Sequence, residues 1–472
     1  MRGSLDDTIC AVATPVGEGG VGIVRLSGPE ALRIGETVVR LRSGHLLGAV
    51  ATHTLHLADV LPPASVKSCE RTLGPRPGAF LDEALVVHMK APRSFTGEDV
   101  VEIQSHGGGL ILSLVCQACI EAGARPAEPG EFTKRAFLNG RLDLSQAEAV
   151  LDTVRARSAA GLSLAQRQLR GELAREVESV RSALLGLLAH VEAGIDFVEE
   201  DISFVTGQEL RRTIENAGVM IRRLADSFRQ GKVLREGARV VILGRPNVGK
   251  SSLLNKLLRE DRAIVTATPG TTRDVIEESI DLEGLRIHLV DTAGLRETQD
   301  PVELEGIRRT RAAQQEADLS LVVVDGSQPL THEDRQLMDA TGEGLRVIVL
   351  NKADLPCVVR SEEMPSDARL CAVSAVTGVG LDRLRSELRG QLISGGGDAG
   401  ETVIVTNVRH QSALQRAAEA VDHALGSLEE GVAAELIAAD LRVTAEALGE
   451  ITGAITTDEI LERVFAEFCI GK

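Results

Sequence analysis

The chain of 472 residues contains no tryptophan, no tyrosine and only nine phenylalanines. Aromatic rings are the platforms on which proteins stack unpaired bases, so the sequence offers little for direct stacking on RNA. The net charge is −17, whereas contacts to a phosphate backbone require clustered lysine and arginine. Broad, direct binding to nucleic acid is therefore not expected, and an RNA substrate would be held largely by a basic partner.

Long apolar runs and a cysteine framework are also lacking. No run approaches the length that crosses a bilayer, and no charged segment followed by an apolar one opens the sequence, so we expect a cytoplasmic protein without membrane association. Seven cysteines scattered over the chain do not make a disulfide framework. Cys116 and Cys119 form a CxxC within the apolar helix predicted at 110–120. Without a second cysteine pair, this spacing favours buried packing over a metal site.

The most informative feature that is present is the run GRPNVGKS from Gly244 to Ser251. It follows the apolar run 240–243 and precedes a helix-forming segment at 252–258, which is the strand, loop and helix context of a phosphate-binding P-loop. Backbone N–H groups would face the phosphates, Lys250 would reach the terminal ones, and the Ser251 hydroxyl would hold Mg²⁺. The alternative is a chance glycine loop. The expected ligand is a nucleoside triphosphate.

Three further predicted strands each end in a polar motif, and the strands lie at 285–290, 347–350 and 370–373. The motifs are Asp291-Thr292-Ala293-Gly294, Asn351-Lys352-Ala353-Asp354 and Ser374-Ala375-Val376. Open parallel sheets bind ligands at the carboxyl ends of their strands, so the motifs are expected to meet at one edge. The Asp354 carboxylate can accept two parallel donors from guanine, a pairing that adenine does not offer. GTP is therefore the predicted nucleotide.

Together these segments resemble the G domain of the Ras-like GTPase superfamily. Residues 270–274 are similar to switch I, with Thr272 as the second Mg²⁺ ligand, and an ordinary Thr/Gly turn is the alternative. Ras-type enzymes orient the attacking water with a glutamine at the position that Leu295 occupies here, and an alkyl side chain cannot do so. Glu303 is the best carboxylate candidate for that role. Its alternative is a solvated acid at the start of a helix.

Asn247, inside the P-loop, suggests a second source of positive charge. With carbonyl and hydroxyl groups of residues 266–271, it could bind a monovalent cation against the phosphates, whereas the alternative is an asparagine that stabilises a turn. The predicted nucleotide-contacting residues are Asn247, Val248, Gly249, Lys250, Ser251, Ser252, Thr266, Ala267, Thr268, Pro269, Gly270, Thr271, Thr272, Asp291, Thr292, Ala293, Gly294, Asn351, Lys352, Ala353, Asp354, Ser374, Ala375 and Val376.

The pattern along the chain predicts a multidomain protein, and the length alone favours about three domains. Residues 1–140 have short alternating strands between Gly/Pro turns and are predicted to be α+β. Residues 141–235 and 393–472 have leucine and alanine at helical spacing, and they flank the predicted G domain at 236–392. Insertions succeed where exposed ends lie close together. We therefore predict an all-α helical domain interrupted by an inserted α/β Ras-like P-loop G domain.

Segments outside the G domain narrow the family. They are Phe95-Thr-Gly97-Glu98-Asp99, Glu102, His106-Gly107-Gly108, the run PGEFTKRAFLNG from Pro129 to Gly140, and the closing Phe468-Cys469-Ile470-Gly471-Lys472. These residues resemble the family of tRNA modification GTPases called MnmE or TrmE, over essentially the whole chain. Many G proteins share the central motifs, but not this N-terminal block with a terminal Cys-Ile-Gly-Lys.

That resemblance implies a homodimer joined through an N-terminal domain that binds a tetrahydrofolate derivative, such as a 5-formyl analogue, as one-carbon donor. It also implies a heterotetramer with MnmG, in which FAD belongs to the partner alone. The pair would add an aminomethyl or carboxymethylaminomethyl group to carbon five of the wobble uridine of certain tRNAs. The tRNA would be bound largely through the partner.

The resemblance also assigns roles to individual residues. The positions that contact folate in the family are here Arg25, Glu102, Arg141 and Lys472. The K⁺ positions are Asn247, Thr266, Thr268 and Thr271, and the water-activating acid is Glu303. K⁺ there bridges phosphates while two G domains pair, which fills the gap left by Leu295. Two departures affect the charge around the folate position: Arg141 stands where lysine is common, and Glu128 replaces a frequent arginine.

Cys469 has three interpretations. A prenylation box fails because Gly471 and Lys472 are poor at their positions. The second interpretation is packing at a helix end. The third follows from the family, which places this thiol close to the folate site, where it could assist the modification chemistry. The predicted catalytic residues are thus Glu303, Lys250 and Cys469.

A regulatory ribosome-assembly GTPase of the Era type is the alternative function. The RNA-binding appendages of such a switch should be basic, whereas this C-terminal region is acidic through Glu429, Glu430, Glu435 and Asp440. The folate-like block also has no role in a switch. We therefore predict an enzyme whose GTP hydrolysis serves tRNA modification.

Overall fold

The computed structural model describes residues 6–15, 17–65, 80–196, 206–260, 278–291, 317–341, 344–366, 368–393 and 403–472. By their contacts, these residues divide into two compact units. Unit 1 is Met1–Leu151 with Gly449–Lys472, and unit 2 is Asp152–Leu448. The predicted domain boundaries at residues 140, 235 and 392 divide the chain more finely and stay predictions.

A β-sheet is the framework of unit 1. Its strands are β1 (Ile9–Val12), β2 (Gly19–Ser27), β3 (Val39–Leu41), β4 (His56–Val60), β5 (Asp82–Met89), β6 (Val100–Gly107) and β7 (Arg125–Pro126). Among the described residues these seven strands are ordered β3-β4-β5-β6-β2-β1-β7. Strands β1 and β7 pair in parallel, and the other neighbours pair antiparallel. The predicted α+β character of the N-terminal region is confirmed.

Alternation along β2 gives this sheet two different faces. Val24 and Leu26 are fully buried in a core that also receives helices α1 (Ala31–Val38) and α2 (Gly109–Glu121). Arg25 and Ser27 alternate with them and therefore face the opposite side. Cys119, on α2, is fully buried in the same apolar core, so the packing interpretation of this cysteine is confirmed.

Helix α3 (Glu131–Leu138) covers part of the opposite face, where Phe132 packs against Ile9 and Ala11 of β1. Helices α4 (Leu144–Arg155) and α14 (Asp458–Ala466) meet in an apolar cluster with the end of the chain. That cluster comprises Leu144, Ala147, Leu461, Phe465 and Phe468.

A second sheet is the framework of unit 2. Its strands are β8 (Ala238–Leu243), β9 (Glu278–Leu282), β10 (Leu285–Asp291), β11 (Leu319–Asp325), β12 (Arg346–Asn351) and β13 (Arg369–Ala372). Within the described ranges these six strands are ordered β13-β12-β11-β8-β10-β9, with β9 antiparallel to β10 and the other neighbours parallel. Strands β11 and β12 are buried along their whole length, as is typical of parallel sheets covered on both faces. Each predicted strand of the G domain is confirmed.

Helices surround this sheet and extend from it. Helices α9 (Lys250–Glu260), α10 (His332–Ala340) and α11 (Leu381–Ile393) follow strands of the sheet along the chain. The remaining helices of unit 2 are α5 (Ala159–Leu169), α6 (Glu172–Asp196), α7 (Gly207–Asp226), α8 (Phe228–Glu236), α12 (Val408–Glu430) and α13 (Ala434–Thr452). Helix α7 contacts both α6 and α12, so helices that precede and follow the sheet in the chain pack together. The predicted architecture, a helical domain with an inserted α/β G domain, is confirmed.

None of the helices in the part of the chain that the structure describes is both long and apolar enough to cross a membrane.

Residues 404–406, which lead into α12, are held against α8 by a close backbone contact. An ideal Cβ on Gly231, in α8, would lie only 1.9 Å from the carbonyl oxygen of Val405. The Val405 N–H donates to Ser227 Oγ at 3.0 Å, and Gln168 Nε2 donates to the Ile404 carbonyl at 3.1 Å. Gly231 therefore lets residues 404–406 lie directly against the helix backbone.

We expect Gly231→Ala to destabilise unit 2 by about 1–3 kcal/mol, because the methyl group must displace the Val405 backbone. The measurement is the urea midpoint of the loss of helical circular dichroism. Gly426→Ala is the matched control, since Gly426 is also helical and an added Cβ meets nothing within 4 Å. That control should be neutral or stabilising by up to about 1 kcal/mol. Equal midpoints for the two variants would contradict the close packing at Gly231.

Candidate functional site

The P-loop connects β8 to α9 and is shaped by its backbone. Gly244 and Gly249 have φ angles of 150° and 97°, and Asn247 also lies in the left-handed region at 65°. An ideal Cβ on Gly249 would lie 2.2 Å from Asn351 Nδ2, so this position accepts only glycine without displacement of a neighbour. Because α9 begins at Lys250, the first N–H groups of this helix lie at the end of the loop, which favours an anion.

The Lys250 side chain folds back onto the P-loop backbone. Its Nζ donates to the carbonyl oxygens of Gly244, at 2.8 Å, and Arg245, at 2.9 Å. The side chain is buried, with 7% of its surface exposed. Two backbone acceptors thus fix a positive charge beside the P-loop, where it can neutralise a polyphosphate.

Asn351 joins the P-loop to two other motifs. It ends β12, and its side chain is buried. Its Nδ2 donates to the Val248 carbonyl at 2.8 Å, and its Oδ1 accepts from the Ala375 N–H at 3.1 Å. One amide therefore links the phosphate-binding loop with the segment after β13. These three motifs meet at the carboxyl edge of the parallel sheet, as the sequence predicted.

Asp354 presents an oriented carboxylate at the same edge. Ser374 Oγ donates to Asp354 Oδ1 at 2.5 Å, while Ser374 Oγ itself accepts from the Thr377 N–H at 3.1 Å. The residue is exposed, so its carboxylate is open to a ligand. A carboxylate has about four acceptor positions, which leaves capacity for two parallel N–H donors such as those of guanine.

Asp325 is a member of this site that the sequence analysis missed. It ends β11, next to β12, and its Oδ2 accepts from Lys352 Nζ at 2.7 Å. Burial raises the pKa of Asp325, but hydrogen bonds from Lys352 and Ser327 outweigh that effect and hold the pKa below its usual value. The ion pair holds Lys352, which has a left-handed φ of 65° and lies two residues before Asp354. The only trace of Asp325 in the sequence is an aspartate at the end of an apolar run, which belongs to no motif.

The predicted metal ligands fall partly within the described residues. Ser251 is exposed in the first turn of α9. Asp291 ends β10 and pairs with Ile242 of β8, which brings its backbone beside the strand that leads into the P-loop. A hydroxyl oxygen and the amide oxygen of Asn247 are ligands that suit hard cations such as Mg²⁺ and K⁺.

The predicted residues that lie outside the described ranges are Thr266, Ala267, Thr268, Pro269, Gly270, Thr271, Thr272, Thr292, Ala293, Gly294, Leu295 and Glu303.

A second polar site lies in unit 1, around Arg25. Arg25 on β2 is directly opposite Glu102 on β6, and its Nε donates to Glu102 Oε1 at 2.8 Å. The Arg25 guanidinium lies 5.6 Å from the ring centre of Phe132 and 6.0 Å from that of Phe95, within the range of cation–π attraction. The site therefore combines a hydrogen-bond donor, an acceptor and two flat apolar surfaces. Such a set can bind a polar heterocycle.

The other predicted folate residues lie in the same unit. Arg141 Nε donates to the carbonyl oxygen of Ser94 at 3.0 Å, one residue before Phe95. Lys472 ends the chain, and its backbone N–H donates to the Cys469 carbonyl at 3.3 Å. Cys469 is exposed. The structure thus brings Arg25 and Glu102 into direct contact, places Arg141 against the residue before Phe95, and holds Gly471 against the end of β1.

An ionic network centred on the buried Arg135 supports this second site, and its residues were assigned no role from the sequence. Arg135 is only 2% exposed and donates to the Asp7 carbonyl at 2.8 Å, Glu98 Oε1 at 3.2 Å and Glu131 Oε1 at 3.1 Å. Arg125 donates to Asp7 Oδ2 at 2.7 Å and to Glu131 Oε1 at 2.6 Å. Glu131 and Arg135 are four residues apart on one helix, which was the signal available in the sequence.

The network is connected to the strand that carries Arg25. Ser27 Oγ donates to Glu98 Oε2 at 2.6 Å, and Phe132 follows Glu131 on α3. Burial raises the pKa values of Asp7 and Glu131, but the hydrogen bonds from Arg125 and Arg135 outweigh burial and lower both pKa values. The carboxylates are therefore ionised at neutral pH, and together with the arginines they fix the rings beside Arg25.

Comparison with known proteins gives one consistent family. The description "GTP-binding protein TrmE N-terminus" matches residues 8–141, and "MnmE helical domain" matches residues 144–469. The tRNA modification GTPase MnmE of Chloroflexus aurantiacus is 49% identical in an alignment that covers 99% of this chain and 100% of that protein. The proteins of the same name from Geobacter metallireducens and Heliobacterium modesticaldum are 45% and 46% identical, over 99% of this chain and 100% and 99% of their own lengths.

Among solved structures, a variant of Era from Aquifex aeolicus bound to GDP and aluminium fluoride is 23% identical. The match covers 39% of this chain and 66% of that one, with a TM-score of 0.27. That score is too low to support an argument, and the family follows from the two matching family descriptions and the full-length relatives.

The ionic network around Arg135 predicts how the stability of unit 1 depends on pH. The ordinary pKa values of Asp7 and Glu131 are 3.8 and 4.5, and both are lowered in the fold. Their stabilising contribution is therefore complete above these ordinary values and is lost as the pH falls through the lower, folded ones. At pH 7 we expect Glu131→Gln to lower the free energy of unfolding by about 1–3 kcal/mol, since charge-assisted hydrogen bonds to two arginines are lost.

Urea unfolding at a series of pH values measures this effect. The difference between the wild-type chain and Glu131→Gln should shrink as the pH is lowered below 4.5, the ordinary value for glutamate. Glu83→Gln is the control, because Glu83 is an exposed partner of Arg42 in the same sheet and its replacement should leave the midpoint nearly unchanged. A difference that is constant with pH would contradict the ionic role of Glu131.

Proposed function

Because this chain belongs to the MnmE family of tRNA modification GTPases, we propose that it acts with an FAD-dependent MnmG partner on the wobble uridine of certain tRNAs. The product would carry a carboxymethylaminomethyl or aminomethyl group at carbon five. The observation that carries the proposal is the presence in one chain of both polar sites. Asn351 organises a nucleotide site in unit 2, and Arg25 and Glu102 form a second polar site in unit 1.

For GTP, the proposed roles follow the geometry of the strand ends. Lys250 and the first N–H groups of α9 bind the phosphates, and Asp354 accepts two hydrogen bonds from guanine. Ser251 and Thr272 would hold Mg²⁺, which when bound neutralises phosphate charge and orients its oxygens. The fixed position of Lys250 over the P-loop and the open Asp354 carboxylate support these roles.

For hydrolysis, we assign the water-orienting role to Glu303, because the alkyl side chain of Leu295 cannot perform it. A carboxylate can hold the attacking water in line with the terminal phosphate and accept a proton from that water. Asn247, with Thr266, Thr268 and Thr271, would hold K⁺, which when bound supplies positive charge beside the phosphates. The amide oxygen of Asn247 is a hard ligand of the kind that such cations bind, which supports this role.

For the one-carbon donor, we propose that unit 1 binds a tetrahydrofolate derivative. Arg25 and Glu102 offer a donor and an acceptor to the polar edge of the heterocycle, and Phe95 and Phe132 flank Arg25. Arg141 and Lys472 are the further folate contacts in the proposal. The folate would supply the one-carbon unit for the modification, and the Cys469 thiol would assist that chemistry. The exposure of Cys469, three residues beyond the end of α14, supports a chemical role over packing.

The proposed assembly is a homodimer that joins with MnmG into a heterotetramer. A net charge of −17 disfavours extensive direct contact with tRNA, so the partner would carry most of the binding. FAD is assigned to the partner alone.

The direct test is mass spectrometry of wobble uridines in tRNA from cells that lack this protein. We expect the modified nucleosides to disappear and to return when the wild-type gene is restored. The Glu303→Ala gene should not restore them, because that variant should bind GTP and lose most hydrolysis. Wobble uridines that are unchanged in the deleted strain would refute the modification function. Full restoration by Glu303→Ala would remove this residue from the mechanism.

A further inference from the structure

The last residues of the chain lie against β1 through a contact that leaves no room for a side chain. Gly471 has a left-handed φ of 95°. An ideal Cβ at this position would lie 2.3 Å from the carbonyl oxygen of Val12 and 3.0 Å from the Cα of Ala13. The tail and the end of the strand therefore meet backbone to backbone.

A second glycine holds the start of the same tail. Gly130 has a φ of 68°, and an ideal Cβ there would lie 2.6 Å from the Phe465 carbonyl oxygen. The Gly130 N–H donates to the Cys469 carbonyl at 3.5 Å, and the same carbonyl accepts from the Lys472 N–H at 3.3 Å. Cys469 is thus tied to the turn before α3 while Gly471 rests on β1.

The position of this contact connects the tail to the polar site of unit 1. Val12 pairs with Val24 across β1 and β2, and Ala11 pairs with Arg25. The strand that receives Gly471 is therefore the immediate neighbour of the strand that presents Arg25 to Glu102. Phe468 is anchored in the apolar cluster of α4 and α14, so residues 469–472 extend from a fixed point.

We propose that Gly471 is a positioning residue for the second polar site. Because Gly471 has no side chain, the tail can dock on β1. This docking brings Cys469 and Lys472 to the site around Arg25. Gly471 itself touches no reacting group and acts through the two residues beside it. The inference rests on the proposed folate and thiol roles of unit 1.

The test uses the full-length chain and 5-formyltetrahydrofolate as the probe, with binding measured by calorimetry. We expect Gly471→Ala to weaken folate binding about tenfold or more, because the contact from Lys472 is lost when the tail cannot dock. GTP turnover, which depends on groups in unit 2, should be unchanged. Gly44→Ala is the matched control, since Gly44 has a φ of 77° and an added Cβ meets nothing within 4 Å. That variant should bind folate normally.

Two further variants separate positioning from general damage. Asparagine tolerates a left-handed backbone but carries a Cβ, so Gly471→Asn should be as defective as Gly471→Ala. Lys472→Ala should weaken folate binding, and adding Gly471→Ala to it should cause little further loss, because both act through the same contact. Additive losses, or normal binding by Gly471→Asn, would overturn the positioning role.

The outcome also distinguishes this inference from the function on which it rests. If the wild-type chain does not bind 5-formyltetrahydrofolate, the folate role and this inference both fail. If the wild-type chain binds the probe and Gly471→Ala binds it equally well, the folate role stands and the positioning role of Gly471 is refuted.

Discussion

The side-chain amide of Asn351 is the interaction on which the nucleotide site depends. It donates to the P-loop at Val248 and accepts from the backbone of Ala375, so the P-loop and the segment after β13 share one buried group. A buried amide that loses a partner costs about 1–3 kcal/mol, which keeps the segments in a fixed relation. The close approach of this amide also explains why Gly249 cannot carry a side chain. A nucleotide that contacts both segments therefore meets a preorganised site.

The part of this site that could be predicted from the sequence is the part that is contiguous in the chain. The P-loop follows β8 and precedes α9 as its motif required, and parallel strands bring Asn351 and Ser374 to the same edge. Asp325 was missed because a carboxylate at a strand end has no motif of its own, and its partner Lys352 is identified only by the fold.

The polar site of unit 1 was predictable only through family resemblance. Its support is a network in which Asp7 meets Arg125 and Arg135, residues that are remote in the sequence and have no recognisable spacing. Burying such charges is costly unless each one is paired, so the network holds α3 and its phenylalanine in one arrangement. The Cys-Ile-Gly-Lys tail depends on tertiary contacts in the same way, since only the fold shows that Gly471 lies on β1. One unit of this GTPase thus carries a nucleotide site, and the other carries a separate polar site around Arg25 and Glu102.

The central claim is that this chain is a GTPase in which Asp354 reads guanine within a site organised by Asn351. The most direct test is calorimetric titration of Asp354→Asn with GTP and with xanthosine triphosphate, with the exposed Asp339→Asn as control. The account predicts that Asp354→Asn loses about tenfold or more in GTP affinity and gains affinity for xanthosine triphosphate, because an amide exchanges an acceptor for a donor. Retention of the wild-type preference for GTP would contradict it.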